Sequence, residues 1–371
     1  MVDRWSAWAE DEGAGIRDAG QWRTPRDLDG AGPRGKLVAD GLEVVSFASN
    51  DYLGLTQHPR VIAAAHDAIE RWGAGSGSAR LIVGSRPVHS ELETELAAWK
   101  HAAGAVLFST GYQANLGVLT TIGGPGTRVL SDELNHASII DGTRLARGGV
   151  VVYPHLDLEK LDDELKASPT ERNVVVSDTV FSMDGDVAPV DALVELTAHH
   201  GALLVLDEAH AVLGPDLDET PPHVVRMGTL SKTLGSLGGF VAASRPIVDL
   251  LVNRARSYIF TTATSPADAA AALAALHVVQ GEDGKDLVDR LRDLVDRVSP
   301  GHPSPIIPVL CGTEERAVRA AEELLTRGIL VPAIRPPTVP VGSSRLRVTL
   351  SAAHTDDDVD MLITALRDAG V

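Results

Sequence analysis

The residue types best suited to chemistry are concentrated between positions 203 and 235. An apolar run, Leu203-Leu204-Val205-Leu206, ends in Asp207-Glu208-Ala209-His210. A second, Met227-Gly228-Thr229-Leu230, ends in Ser231-Lys232. Both runs have strand length, and in an open α/β sheet ligands lie outside the carboxyl ends of the strands. They would therefore bring an aspartate, a histidine and a lysine to one edge of a sheet. That trio suits a cofactor that has both a basic ring nitrogen and an aldehyde. Pyridoxal 5′-phosphate (PLP) has both, and works as an electron sink held by a lysine and an acidic partner for its ring nitrogen. A strand ending in Asp-Glu also describes a nucleotide hydrolase's metal-binding carboxylate. No Gly-x-x-x-x-Gly-Lys-Ser/Thr loop accompanies it here, so that reading lacks its other half.

Four further patches join this pair. Ser109-Thr110-Gly111-Tyr112-Gln113-Ala114-Asn115 spans a strand-to-helix junction, where free amides and the helix dipole can hold a phosphate. Asn135-His136-Ala137-Ser138 contributes an imidazole, and Asp178 to Asp186 (DTVFSMDGD) again follows a strand. The fourth is Ile334-Arg335-Pro336-Pro337-Thr338-Val339-Pro340, with Ser344-Arg345-Leu346-Arg347-Val348-Thr349-Leu350 after it. Each has an ordinary reading as a helix cap, a core histidine or a turn; it is their company that makes them informative.

The elements that must position these residues follow from the apolar pattern. Strands are expected near 105–109, 127–131, 149–153, 173–178, 202–207, 223–228 and 238–243. They alternate with helices, which argues for one largely parallel seven-stranded sheet. Residues 1–45 read as a short helix, a Pro/Gly-rich connection from Thr24-Pro25 to Gly35, and a strand at Lys36–Val38. A turn-rich group, Ser49 to Leu55, precedes a helix that starts at Pro59 and stops at Gly73. A second helix, near Ser90–Lys100, follows the glycine-rich loop Gly73–Ser78. After a helix near 245–256 and an Ala-rich one near 266–280, a small α+β unit begins. It has strands at Ser304–Val309, Leu330–Ala333 and Ser344–Thr349, and helices at Glu314–Arg327 and Asp356–Ala369. The expected division is an N-terminal segment (1–45), a large domain (46–282) and a small C-terminal domain (283–371).

The totals narrow the class. The 371 residues carry a formal net charge of −18, which argues against nucleic acid or an anionic membrane as partner. Any anionic substrate must then meet a local cluster of arginines. The single cysteine, Cys311, excludes an intramolecular disulfide and fits a reducing, cytoplasmic setting. Apolar runs are far shorter than a membrane span, and no signal-peptide pattern opens the sequence. No group of residues suggests a metal site.

Taken in order and spacing, SNDYLGL, GYQAN, NHAS, VFSMDGD, DEAH and TLSK resemble the α-oxoamine synthases. These are fold-type I PLP enzymes that condense an amino acid with an acyl thioester and release CO₂. The resemblance runs from about residue 16 to the C-terminus. It implies that Lys232 binds the cofactor aldehyde and moves the proton at the substrate α-carbon, and that Asp207 pairs with the ring nitrogen. His210 would bond the ring oxygen and His136 would stack on the ring, the latter also assisting at the thioester carbonyl or the decarboxylation. Ser182 would lie near the ring oxygen. Gly111, Tyr112 and Thr229 would bind the phosphate, with Thr262 supplied by the partner subunit of a homodimer. Arg347, helped by Asn50, would grip the amino-acid carboxylate, for which a planar guanidinium is suited.

Within the family, RPPTVP and SRLRVTLSAAH look most like the member that joins L-alanine to a pimeloyl thioester, carried by CoA or acyl carrier protein. A far carboxylate on the acyl chain needs its own cation. Thr338 and an arginine of the N-terminal segment are the matching positions, and Arg335, close to Thr338 in sequence, is a further candidate for the same end. That segment reads Gln21-Trp22-Arg23 where the family pairs arginines, so Arg23 is the candidate, with Arg17 and Arg26 as alternatives. Ala211 stands where a glycine commonly follows the histidine, and the connection from Val212 to Pro222 is short. The other readings are a sister enzyme using glycine with acetyl- or succinyl-CoA, or serine with a long acyl chain, and a non-catalytic PLP-fold protein.

Overall fold

The computed structural model describes residues 3–167 and 172–371. Helix α1 (Arg4–Asp18) starts from Asp3, whose side chain accepts the Trp5 amide, and none of its residues is buried. Strands β1 (Leu28–Ala31), β2 (Arg34–Leu37) and β3 (Glu43–Ser46) follow. The expected strand at Lys36–Val38 is thus the second arm of a hairpin. Its first arm, β1, falls where the sequence suggested only a connection. Ala31 pairs directly with Arg34 across Gly32-Pro33, so the residues that looked like a linker form the two-residue turn. Gly32, at φ +69°, takes the left-handed backbone that this turn requires.

Helix α2 (Pro59–Trp72) begins with proline in its first turn and ends at Gly73, whose φ is +82°. Helix α3 (Pro87–Trp99) leads into the large sheet. Its parts are β4 (Gly104–Phe108), α4 (Gly111–Ile122), β5 (Thr127–Asp132), α5 (Ala137–Ala146), β6 (Gly149–Tyr153), α6 (Leu158–Ala167), β7 (Arg172–Asp178), α7 (Val190–His199), β8 (Leu203–Asp207), β9 (Val224–Thr229) and β10 (Gly239–Ala243). All seven strands lie within a residue or so of the positions read from the sequence. Their spatial order is β4-β10-β9-β8-β7-β5-β6, with β10 alone running antiparallel to its neighbours. Val174, Val176 and Val205 pack into one core beneath the sheet, Val175, Leu204 and Leu206 into another above it. A strand covered on both faces must be apolar throughout, which is why these runs are so legible.

Helices α8 (Arg245–Arg254), α9 (Arg256–Ile259) and α10 (Pro266–Val279) return the chain across the sheet. The Ala-rich α10 packs against both α2 and α3 and is buried along most of its length. Then come α11 (Glu282–Val298), β11 (Ile306–Gly312), α12 (Glu314–Thr326), β12 (Ile329–Leu330), β13 (Ala333–Ile334), β14 (Ser344–Thr349) and α13 (Asp356–Asp368). The single strand expected at Leu330–Ala333 is two. Pro332, with no amide hydrogen, breaks the run. β12 joins β3 in parallel, while β13 pairs with β14. The N-terminal strands therefore share a sheet with a strand from the C-terminal region, and a single core runs from Val45 through Leu234 to Leu366. Among the described residues no helix is long and apolar enough to cross a membrane.

Candidate active site

The carboxyl ends of the parallel strands meet at one cavity of about 240 Å³. Its walls come from α4 (Gly111, Tyr112, Asn115), the start of α5 (His136, Ser138) and the strand ends Asp178, Asp207 and Thr229, with His210 and Lys232 beyond them. All of these side chains but Asn115, which projects from the second turn of α4, arrive from a strand-to-helix or strand-to-loop junction. Register sets them in a row: Asp178 pairs with Asp207, and Asp207 with Met227.

Asp207 is buried and held by two donors, Asn115 Nδ2 at 2.7 Å and the Ala209 amide at 3.0 Å. Lys232 Nζ lies 2.8 Å from His210 Nε2. Burial pushes the Lys232 amine down to about 8, against the opposing pull of Asp207 and Asp178. His210 is pushed well below the usual imidazole range, first by burial and then by the charge of Lys232. His136 moves the same way for the same leading cause; its Nδ1 contacts Ser138 Oγ at 2.7 Å, which leaves Nε2 as the ring's free nitrogen. These shifts favour a neutral lysine and neutral imidazoles, the states in which such groups accept protons.

A hydrogen-bonded chain leads from this cavity to the small domain. Tyr52 Oη meets His210 Nδ1 at 2.5 Å, and its hydroxyl is buried beside Arg347, with burial pushing it upward. Arg347 is fixed by Ser182 O (2.5 Å) and Thr349 Oγ1 (3.0 Å), and it reaches Asn50 Oδ1 at 3.3–3.4 Å. Arg347 and Asn50, expected to act together, are thus brought together. Ser182 is not part of the cavity lining; its backbone carbonyl anchors Arg347 instead. Thr262 is also outside the lining, its carbonyl accepting from Ser109 Oγ at 3.0 Å.

A larger cavity, about 510 Å³, lies away from this row, between the N-terminal segment and β12–β13. Trp22, Arg23, Thr24, Arg26 and Arg335 line it, with Glu322 as its one acid. Arg335 donates to Gly20 O at 2.8 Å and so ties the two segments together. Arg23 and Arg335 share this space as the sequence suggested, Arg26 lines it too, and Arg17 stacks over Trp22. Thr338 does not line it; its amide closes the turn onto Arg335 O. We assign the chemistry to the smaller cavity because that is where perturbed titratable groups converge.

Sequence reading gave no role to Asn115, Tyr52 or Asp178. Asn115 and Asp178 sat inside quoted motifs, and Tyr52 inside the turn group, but only the fold reveals what they face. The site fits a phosphorylated pyridine aldehyde. At the start of α4, Thr110 takes up the amides of Gln113 and Ala114, leaving those of Gly111 and Tyr112 at the cavity. A Cβ on Gly239 would lie 2.6 Å from the Gly111 amide nitrogen, and one on Gly111 would sit 3.3 Å from Thr229, so two glycines keep this corner open. The carboxylate, amine and imidazole complete the donor set. Among the described residues no cluster could hold a metal ion.

Comparison with known proteins agrees with this architecture. The family described as aminotransferase class I and II matches residues 43–366. The chain belongs to that family. Its relatives include the 8-amino-7-oxononanoate synthases of Anaeromyxobacter dehalogenans (49% identical, covering 92% of this chain and 90% of the relative) and Paraburkholderia xenovorans (45%, covering 90% and 91%). Among solved structures, a Sphingomonas wittichii serine palmitoyltransferase superimposes with a TM-score of 0.87 at 29% identity, covering 100% of this chain and 99% of that one. A serine palmitoyltransferase variant from S. paucimobilis, solved with PLP bound as its myriocin aldimine, gives the same score and identity over 99% of each chain. An 8-amino-7-oxononanoate synthase from Francisella tularensis, 24% identical with a TM-score of 0.71, shares the fold and covers 88% of this chain and 99% of its own.

Proposed function

We propose that this protein is a cytoplasmic, PLP-dependent acyltransferase of biotin biosynthesis. It condenses L-alanine with a pimeloyl thioester, on CoA or acyl carrier protein, to give 8-amino-7-oxononanoate, CO₂ and the free thiol. The observation that carries the reading is the convergence of Lys232, His210, Asp207 and His136 on one cavity, in a chain whose relatives share that synthase name.

When bound, PLP supplies a protonated ring that accepts the electrons left at the amino acid's α-carbon as a proton or CO₂ departs. Asp207 would hold the ring nitrogen, His210 the ring oxygen, His136 the ring face, and Gly111, Tyr112 and Thr229 the phosphate. Lys232, the amine that meets the aldehyde, takes the α-proton of alanine once freed and later returns one. Its depression to about 8 leaves a useful neutral fraction near neutral pH. Arg347, steadied by Ser182 O and Thr349 and assisted by Asn50, holds the alanine carboxylate so that the bond to be broken is oriented. His136, through its free Nε2, donates to the thioester carbonyl oxygen as the new carbon–carbon bond forms.

The acyl chain's far carboxylate is assigned to the arginine-lined cavity, with Arg23 and Arg335 as its partners and Arg26 beside them. A dicarboxylic monothioester is the substrate class that would require such a pocket in a chain of net charge −18. Thr338, one turn away, shapes the Arg335 segment. The protein is proposed to act as a homodimer with Thr262 facing the partner's site. Phe260, two residues from Thr262, and Ile82 and Val83, in a segment packed against α9, are each about 70% exposed, as apolar residues of an interface would be in a lone subunit.

The test is thiol release by PLP-loaded protein. L-alanine with pimeloyl-CoA is compared with glycine plus acetyl-CoA, glycine plus succinyl-CoA, and serine plus palmitoyl-CoA. Release confined to the first pair is the expected result; release with another pair would assign the chain to a sister activity.

A further inference from the structure

One buried carboxylate in the cavity has no role in the scheme above. Asp178 ends β7 and is 3% exposed. It pairs in parallel register with Asp207 on the adjacent strand, and neighbouring strands lie about 4.8 Å apart with paired side chains on the same face. The two carboxyl groups are nevertheless treated differently. Asp207 receives Asn115 Nδ2 and the Ala209 amide. Neither Asp178 side-chain oxygen has a hydrogen-bond partner of normal geometry; the nearby His136 amide is the one donor that favours its charge.

We propose that Asp178 is a positioning residue of this site that stands as the neutral acid, so that Asp207 alone carries the negative charge of the pair. Two carboxylates sharing a dry site cannot both ionise cheaply, and the one with donors keeps the charge. Burial and the Asp207 charge push Asp178 well above the usual carboxyl range, with Asp132 adding to them and Lys232 pulling the other way. As an acid, Asp178 is a donor, and Asn115 Oδ1, buried in the same cavity wall, is an acceptor without a partner. The consequence falls on Lys232. An ionised Asp178 would join Asp207 in holding the lysine's proton against the effect of burial; a neutral one withdraws that hold and lets the proton be shed more readily.

The inference rests on the proposed role of Asp207, and its test separates the two. Infrared difference spectra of PLP-free wild type against Asp178→Asn at pH 7 should contain a carboxylic-acid carbonyl band that the variant lacks. The pH midpoint for capture of added PLP by Lys232 should move by less than about half a unit in Asp178→Asn. An ionised neighbour, once removed, would lower it by about one to three units. A missing acid band, or a midpoint lowered by a full unit, overturns the inference. Asp178→Glu, which keeps an acid, must retain the band and serves if the asparagine variant does not fold. Asp207→Asn should weaken PLP binding at least about tenfold; unchanged affinity there would instead sink the ring-partner assignment.

Discussion

At the scale of single residues, the account depends most on Lys232 and Arg347. Lys232→Ala should abolish turnover and the visible absorbance of the loaded enzyme while leaving thermal unfolding close to wild type, since the side chain's hydrogen bond, to His210, is made at the cavity. Arg347→Ala should raise KM for L-alanine about 10- to 150-fold, the worth of a charge-assisted hydrogen bond of about 1.5–3 kcal/mol, with a smaller effect on KM for the thioester. Steady-state kinetics with each substrate varied in turn separates these. Lys232, Asp207, His210 and Arg347 were legible because reactive types follow apolar strands or sit in motifs of fixed spacing. Tyr52, Asn115 and Asp178 were not. A tyrosine bonded to His210 and an asparagine bonded to Asp207 are distant in sequence, and their partners appear only when the strands are set side by side.

At the scale of elements, the segment from Phe181 to Val187 joins the two halves of the site. Arg347 binds Ser182 O, Arg345 pairs with Asp184, and His155 bridges Asp132 (2.9 Å) and Asp186 (2.6 Å). Burial works against a charged His155, but its bonds to Asp132 and Asp186 outweigh this and raise it above the ordinary imidazole value. A raised folded-state value means stabilisation that is complete below about pH 6.5 and fades as pH climbs through that raised value. The Tm gap between wild type and His155→Gln should therefore be larger at pH 6 than at pH 9. Gly185 holds a φ of +70°, and a Cβ there would lie 2.0 Å from Ile306 O. Gly185→Ala should cost at least about 2 kcal/mol in denaturant unfolding. The seven sheet strands were readable as continuous apolar runs. The Leu28–Leu37 hairpin and the division of β12 from β13 were hidden, because Gly-Pro and Val-Pro read as linker or strand until pairing decides between them.

At the scale of the whole molecule, an acidic protein gathers Arg23, Arg26 and Arg335 around one cavity. Arg23→Ala and Arg335→Ala should each raise KM for the pimeloyl thioester about tenfold or more, leaving KM for L-alanine near wild type. Sedimentation should give a dimer mass, and Phe260→Glu, at an exposed position beside Thr262, should shift it toward monomer and reduce turnover. The central claim is that carbon–carbon bond formation is coupled to loss of the amino acid's carboxyl group. It is tested most directly with L-alanine labelled in that carboxyl, pimeloyl-CoA and the PLP-loaded protein. Labelled CO₂ should appear in a one-to-one ratio with free thiol and with 8-amino-7-oxononanoate. Thiol release without labelled CO₂, or with the label retained in the product, would contradict it.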